Sequence, residues 1–231
     1  MPLINRQAFK CCAPSILLIA ILVNQLAVGV SFAGEFALSK HILSNTENKY
    51  GDYARRRLIS WRNLINHNRS SGSEEKLQLV NDFFNSLEFA NDIDHWGKED
   101  YWATPLQMLA SNGGDCEDFA IAKYFTLREM GIPAEKLRLT YVKALRLNQA
   151  HMVLTYFSTA EADPLVLDNL VGEISPASER EDLLPVYSFN GSGLWLAKTG
   201  GTSKLVGRSK RLSRWQEVIA RLDEEQIALA R

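Results

Sequence analysis

At Gly131-Ile132-Pro133 the apolar residues of this chain change from a helical period to a strand period, and that switch sets the fold class. Upstream, Ala54, Leu58, Trp61 and Ile65 recur at steps of four, three and four, which is one stripe of a helix. Ser70-Ser71-Gly72-Ser73 interrupts the pattern, and Leu77, Val80, Phe84 and Leu87 mark the buried side of a second helix. Residues 91–102 alternate acidic and aromatic side chains and are expected to be irregular. Thr104-Pro105-Leu106-Gln107 is a helix start, with Thr as N-cap, Pro in the first turn and Gln three residues after the cap. That short helix is expected to end near Asn112-Gly113-Gly114. A longer one should run over residues 116–130 and stop at Gly131, with Pro133 beyond it. Because Phe119-Ala120-Ile121-Ala122 is apolar on several sides, this helix belongs at the centre of the molecule.

Beyond Pro133 the period is two. Leu137, Leu139 and Tyr141 alternate with Arg138 and Thr140, and residues 151–157 and 165–168 read as further strands joined by a turn at 158–164. Residues 187–190 and 194–198 flank Gly191-Ser192-Gly193 as a hairpin. A closing helix presents Leu212, Trp215, Ile219 and Leu222 on one face. Helices first and adjacent strands afterwards is the α+β pattern.

The first residues are of a different kind. Arg6 and Lys10 are followed by an apolar stretch over 13–23 and 26–32, and Ser31-Phe32-Ala33 offers small residues for cleavage. Residues 1–33 are therefore expected to be an export signal, an uncleaved anchor being the alternative that the short, interrupted apolar stretch argues against. Residues 34–231 remain as one domain, carrying 24 Lys and Arg against 27 Asp and Glu. That balance does not suggest a nucleic-acid binder. Arg55-Arg56-Arg57 and the basic residues of 204–214 read as solvated faces.

Of three cysteines, Cys11 and Cys12 lie in the leader, which leaves Cys116 without a disulfide partner in an oxidising compartment. It follows two glycines, which let the chain turn sharply, and opens a helix whose dipole favours a thiolate. By composition alone a buried structural cysteine is the commoner case, and the loop-to-helix position and unpaired state reverse that preference. His151 begins an apolar strand, sharing a side with Val153 and Thr155. It is either a hydrogen-bonded core residue or a base held by that strand. Asp168 ends the next strand, and strand pairing would let it reach His151 and fix the imidazole tautomer. Asp163, in the turn, is its rival. The order Cys, His, Asp suggests a cysteine hydrolase. Trp96 and Trp102 are read as core aromatics rather than cleft walls, and the Cys116 backbone N–H is the one oxyanion donor assigned.

Asp-Cys-Glu-Asp-Phe-Ala around Cys116, Ala-His-Met-Val-Leu around His151 and Val-Leu-Asp-Asn around Asp168, at these separations, resemble the LapG-type bacterial transglutaminase-like cysteine proteases. The resemblance extends from the first helix to Trp195. It implies a papain-like core, with N-terminal helices packed on an antiparallel sheet, and the roles of nucleophile for Cys116, base for His151 and orienter for Asp168. It further implies a periplasmic endopeptidase that cuts the N-terminal region of a large surface adhesin at a dialanine site, which disperses biofilm. An inner-membrane cyclic di-GMP receptor would sequester it, with no membrane insertion of the protease itself.

Asp115, Glu117 and Asp118 put three carboxylates beside a thiol that must lose its proton, and uncompensated they raise its pKa. A hard cation would remove the conflict, and oxygen ligands select calcium over zinc. The resemblance likewise implies calcium, with Asp115 and Glu117 as ligands and Asp118 beside them. Carbonyls near Asn148 and Gln149 could complete the shell. Glu117 and Asp118 could instead merely complement the helix dipole. The same residues also admit an acyltransferase or transglutaminase, or a non-enzymatic calcium-binding regulatory module.

Overall fold

A computed structural model describes residues 35–197 and 203–225, so the leader and Lys198 lie outside the described residues. Ser39 caps α1 (Lys40–Tyr50) by accepting the Ile42 N–H, and Gly51, at φ 85°, ends it. α2 (Asp52–His67) buries Ala54, Leu58, Trp61 and Ile65, the whole of the predicted stripe. Its Trp61 indole donates to Thr126 Oγ1 at 2.8 Å, so the ring is buried without an orphaned N–H. α3 (Ser73–Asn85) buries Leu77, Val80 and Phe84. Leu87 lies just past its end and packs on the core only in part.

Residues 91–102 are not wholly irregular. After β1 (Glu88–Phe89) comes α4 (Asp92–Trp96), which carries Asp92 and Asp94 in its first turn and is stopped by Gly97 at φ 67°. Five residues are too few to show a helical period. α5 (Pro105–Ser111) has both halves of the expected capping box, Thr104 accepting the Gln107 N–H and Gln107 reciprocating. Next, β2 (Gly113–Gly114) pairs with β1 in parallel, Glu88 opposite Gly113 and Phe89 opposite Gly114. The two glycines therefore serve close approach rather than a sharp turn, and neither has positive φ. A Cβ on Gly113 would lie 2.5 Å from the Glu88 carbonyl oxygen, and one on Gly114 would collide with the Asp118 carboxylate.

α6 (Cys116–Glu129) is buried at every residue from Asp118 to Leu127, and Gly131 at φ 90° follows its end. Each large apolar side chain it buries contributes roughly 1.5–3 kcal/mol. The helix that presents Cys116 is thus the best-anchored element of the fold. It packs on a seven-stranded, wholly antiparallel sheet of β3 (Leu137–Ala144), β4 (Gln149–Tyr156), β5 (Leu165–Leu167), β6 (Ser175–Pro176), β7 (Leu183–Phe189), β8 (Leu194–Ala197) and β9 (Ser203–Gly207). Across the sheet the order is β6-β5-β4-β3-β7-β8-β9. β6 and β9 have no counterpart in the sequence reading, being too short or too polar to show alternation. β4 alternates as expected. Met152, Leu154 and Tyr156 join the main core with the helices, whereas Val153 meets Val142 and Val166 on the opposite face. α7 (Ser213–Glu224) closes the core with Trp215, Val218 and Leu222, Trp215 stacking on Phe125 at 5.5 Å; Ile219 is only partly buried.

The antiparallel sheet and the buried central helix together bear out the α+β reading. Among the described residues no helix is long and apolar enough to cross a membrane.

Candidate active site

Two short devices aim the N-terminus of α6. The β1–β2 ladder holds Gly113 and Gly114, and a capping box then starts the helix. Asp115 is the N-cap and accepts the Glu117 N–H, while Asp118 returns a bond from the Asp115 N–H to its Oδ2 at 3.3 Å. Cys116 is the first helical residue, a free and partly buried thiol. Its Sγ–H donates to Glu117 Oε2 at 2.8 Å, and the Met152 backbone N–H reaches the sulfur from β4.

The helix terminus does not by itself make this thiol acidic. Burial pushes the Cys116 thiol well up, the Glu117 charge and hydrogen bond push the same way, and Asp115 adds to them; only the Met152 N–H opposes. Nearby carboxylates and desolvation outweigh the dipole.

His151 precedes Met152 on β4, so the strand whose backbone N–H reaches the Cys116 sulfur also carries the imidazole. β4 pairs with β5 from Tyr156–Leu165 to Leu154–Leu167. Carrying that register one step further sets Asp168 diagonally across from His151, within side-chain reach. His151 Nε2 and Asp168 Oδ1 are 2.8 Å apart, and the two residues are 2% and 1% exposed. Asp168 Oδ1 also accepts the Leu170 N–H at 3.0 Å, and Oδ2 accepts from Arg180 Nη2 at 2.7 Å. Burial works against a charged Asp168. The hydrogen bond and charge of His151, the Leu170 N–H and Arg180 overcome it and hold the carboxyl at about 2. Asp163, by contrast, is exposed and engages Ser178. Arg180 was not legible from sequence: it is buried and also bonds Asp182, but sits in an irregular stretch with no periodic signal.

The acidic residues form two overlapping groups. Ligand atoms of Asp115, Cys116 and Glu117 lie within 4.8 Å of one another, and so do those of Asp92, Asp115 and Asp118. Asp118 is fully buried and accepts from the Ala103 N–H at 2.6 Å and, more weakly, from Trp96 Nε1 at 3.4 Å. It therefore caps the helix and belongs to a carboxylate cluster at once. Trp96 stands at that cluster, whereas Trp102 is core, stacked on Phe189. Asn148 is exposed in the β3–β4 turn, and Gln149, also exposed, opens β4.

Asp92 is the group that sequence reading missed. It comes from α4, is 6% exposed, and binds the Tyr101 N–H through Oδ2 while Oδ1 has no partner. Desolvation first, and then the charges of Glu117, Asp118 and Asp92, push Asp115 up to about 9. Burial likewise pushes Asp118 up to about 8 and raises Asp92. Two buried carboxylates and a half-buried one, with an orphaned oxygen among them, are a set of hard oxygen donors short of positive charge, which fits calcium.

The fold and this arrangement define a class. The chain belongs to the bacterial transglutaminase-like cysteine proteinases, whose family model matches residues 60–189, a span that includes Asp92, Cys116, His151 and Asp168. Among solved structures it is similar to LapG of Legionella pneumophila. The EGTA-treated form is 43% identical over 82% of this chain and 100% of that one, with a TM-score of 0.70. The calcium-bound form is 42% identical over 80% and 99%, with a TM-score of 0.69. A comparison with curated proteins gives no match.

Proposed function

We propose that this cysteine proteinase is a calcium-dependent endopeptidase using Cys116 as nucleophile, His151 as base and Asp168 as orienter. The buried His151–Asp168 hydrogen bond, on the strand whose next N–H reaches the Cys116 sulfur, carries the reading. With Nε2 turned to Asp168, Nδ1 is the ring nitrogen left to take the thiol proton. For that the Cys116 S–H leaves Glu117 and turns to His151. The sulfur then attacks the scissile carbonyl, the Cys116 backbone N–H faces the developing oxyanion, and Nδ1–H passes its proton to the leaving amine. Water, deprotonated by His151, releases the acyl group. Asp168, ionised and braced by Arg180, holds the ring and stabilises the imidazolium.

Asp115 and Asp118 would hold the ion, with Asp92 and Glu117 supplying further oxygens from either side. Bound there, calcium supplies the positive charge that lets the surrounding carboxylates ionise and lowers the cost of a thiolate. The solved calcium-bound and EGTA-treated forms of LapG support this reading.

The substrate we infer is the N-terminal region of a large surface adhesin, cut at a dialanine site so that the adhesin is released and biofilm disperses. Residues 1–33 then act as the export signal, the protease works in the periplasm, and an inner-membrane cyclic di-GMP receptor restrains it. The test is incubation of the purified chain with an adhesin N-terminal segment carrying an alanine pair. Cleavage is expected with calcium and not after EGTA. Equal cleavage in both conditions would remove the calcium requirement, and a product carrying an added amine would point to acyl transfer instead.

A further inference from the structure

α6 carries a second polar group that the proposed chemistry does not use. Lys123 lies two turns beyond Cys116 and is 1% exposed. Its ammonium donates to Asn81 Oδ1 at 2.8 Å and to the Asp168 carbonyl oxygen at 3.2 Å, and sits 5.9 Å from the centre of the Phe119 ring. Both oxygens are neutral. The carboxylates that act on it, Asp168 and Asp82, do so through space, and burial brings the Lys123 ammonium down to about 7. A charge buried on neutral partners costs more than a Leu or Met would at the same place. Packing therefore does not account for it.

The partners do. Asn85 Nδ2 donates to the same Asp168 carbonyl at 2.8 Å, and Asn81 Nδ2 holds the Gly172 carbonyl at 2.8 Å. α3 and α6 thus clamp the backbone of residues 168–172 by three donors while Arg180 and His151 hold the Asp168 side chain. We infer that Lys123, with Asn81 and Asn85, is a positioning residue for the reaction: one helix delivers the thiol at its start and fixes the backbone of the orienting aspartate two turns later. The inference rests on the assignment of Cys116, His151 and Asp168.

Lys123→Met and Asn85→Ala test it by different routes to one carbonyl. Each is expected to lower kcat on the order of tenfold or more with KM within about twofold, since a small misplacement of a reacting group has effects of that size. Lys123→Met removes a buried charge, so its thermal midpoint should stay within a few degrees of the unaltered protein while kcat falls. The alkylation rate of Cys116 by iodoacetamide is followed in parallel and needs no substrate. A protein that cuts no peptide removes the protease reading, yet slower alkylation in both variants still supports the clamp. Unchanged kcat and unchanged alkylation in both variants overturn it. A fall in kcat matched by an equal loss of thermal stability in both variants also overturns it, because that is what a structural clamp alone would do.

Discussion

Cys116→Ala is expected to abolish peptide cleavage, by a factor on the order of 10⁶ judged from removal of a nucleophile in other triad proteases. The fold should survive the change. The thiol makes one hydrogen bond to Glu117, accepts one from the Met152 N–H and packs only in part on the core, while ten consecutive buried residues, Asp118 to Leu127, anchor the helix behind it. Circular dichroism and thermal midpoint should therefore match the unaltered protein, with calcium and without. Cys116→Ser is expected to be nearly as inactive, because a serine hydroxyl among the same carboxylates is far less acidic than a thiol. Appreciable cleavage by the Ala variant in a preparation checked by mass spectrometry would remove Cys116 from the mechanism.

Asp168→Asn should lower kcat by about 10⁴, the scale found when a triad carboxylate is replaced by its amide. The amide has one oxygen where the carboxylate serves three donors, from His151, Leu170 and Arg180. An NH2 group must then face either the imidazole or the guanidinium, and the wrong tautomer of His151 is favoured. Here stability falls too, since Arg180 keeps Asp182 but loses a buried counter-charge, a loss of about 3–5 kcal/mol. The pH dependence of that difference has a definite sign. The folded Asp168 sits at about 2, below an ordinary carboxylate near 4 in the unfolded chain. Its contribution to stability is complete above about pH 4 and lost as pH falls towards about 2. Denaturant melts of the two proteins should converge across that acid range and stay parallel above it. A gap in stability that persists undiminished at pH 2 would show that Asp168 is not held ionised by these partners.

The fold was legible where period and length were strong. The stripe Ala54, Leu58, Trp61 and Ile65, the Thr104-Pro105 start and the alternation after Pro133 each rest on local sequence, and each corresponds to an element. α4, β1 and β2 were not, because two to five residues show no period, and β1–β2 pairing joins positions 25 residues apart through glycines chosen for what they lack. The pairing of His151 with Asp168 could be read because both fall at the ends of patterned strands. Asp92, Arg180 and Lys123 could not. Each is defined by a contact across the fold: with the Asp115–Asp118 pair, with the Asp168 side chain and with the Asp168 carbonyl. One-dimensional spacing carries no trace of such contacts.

The eight rungs that join β3 to β4 put Val142 opposite His151, with further pairs on either side. A ring mounted on so long a ladder has no backbone slack, and Asp168 removes its torsional slack as well. In the proposed mechanism the approach of sulfur to nitrogen then falls to Cys116, as rotation about its own Cα–Cβ bond away from Glu117. On that proposal idle and armed forms differ by a single side-chain torsion, and local charge rather than any rearrangement of the scaffold sets the activity.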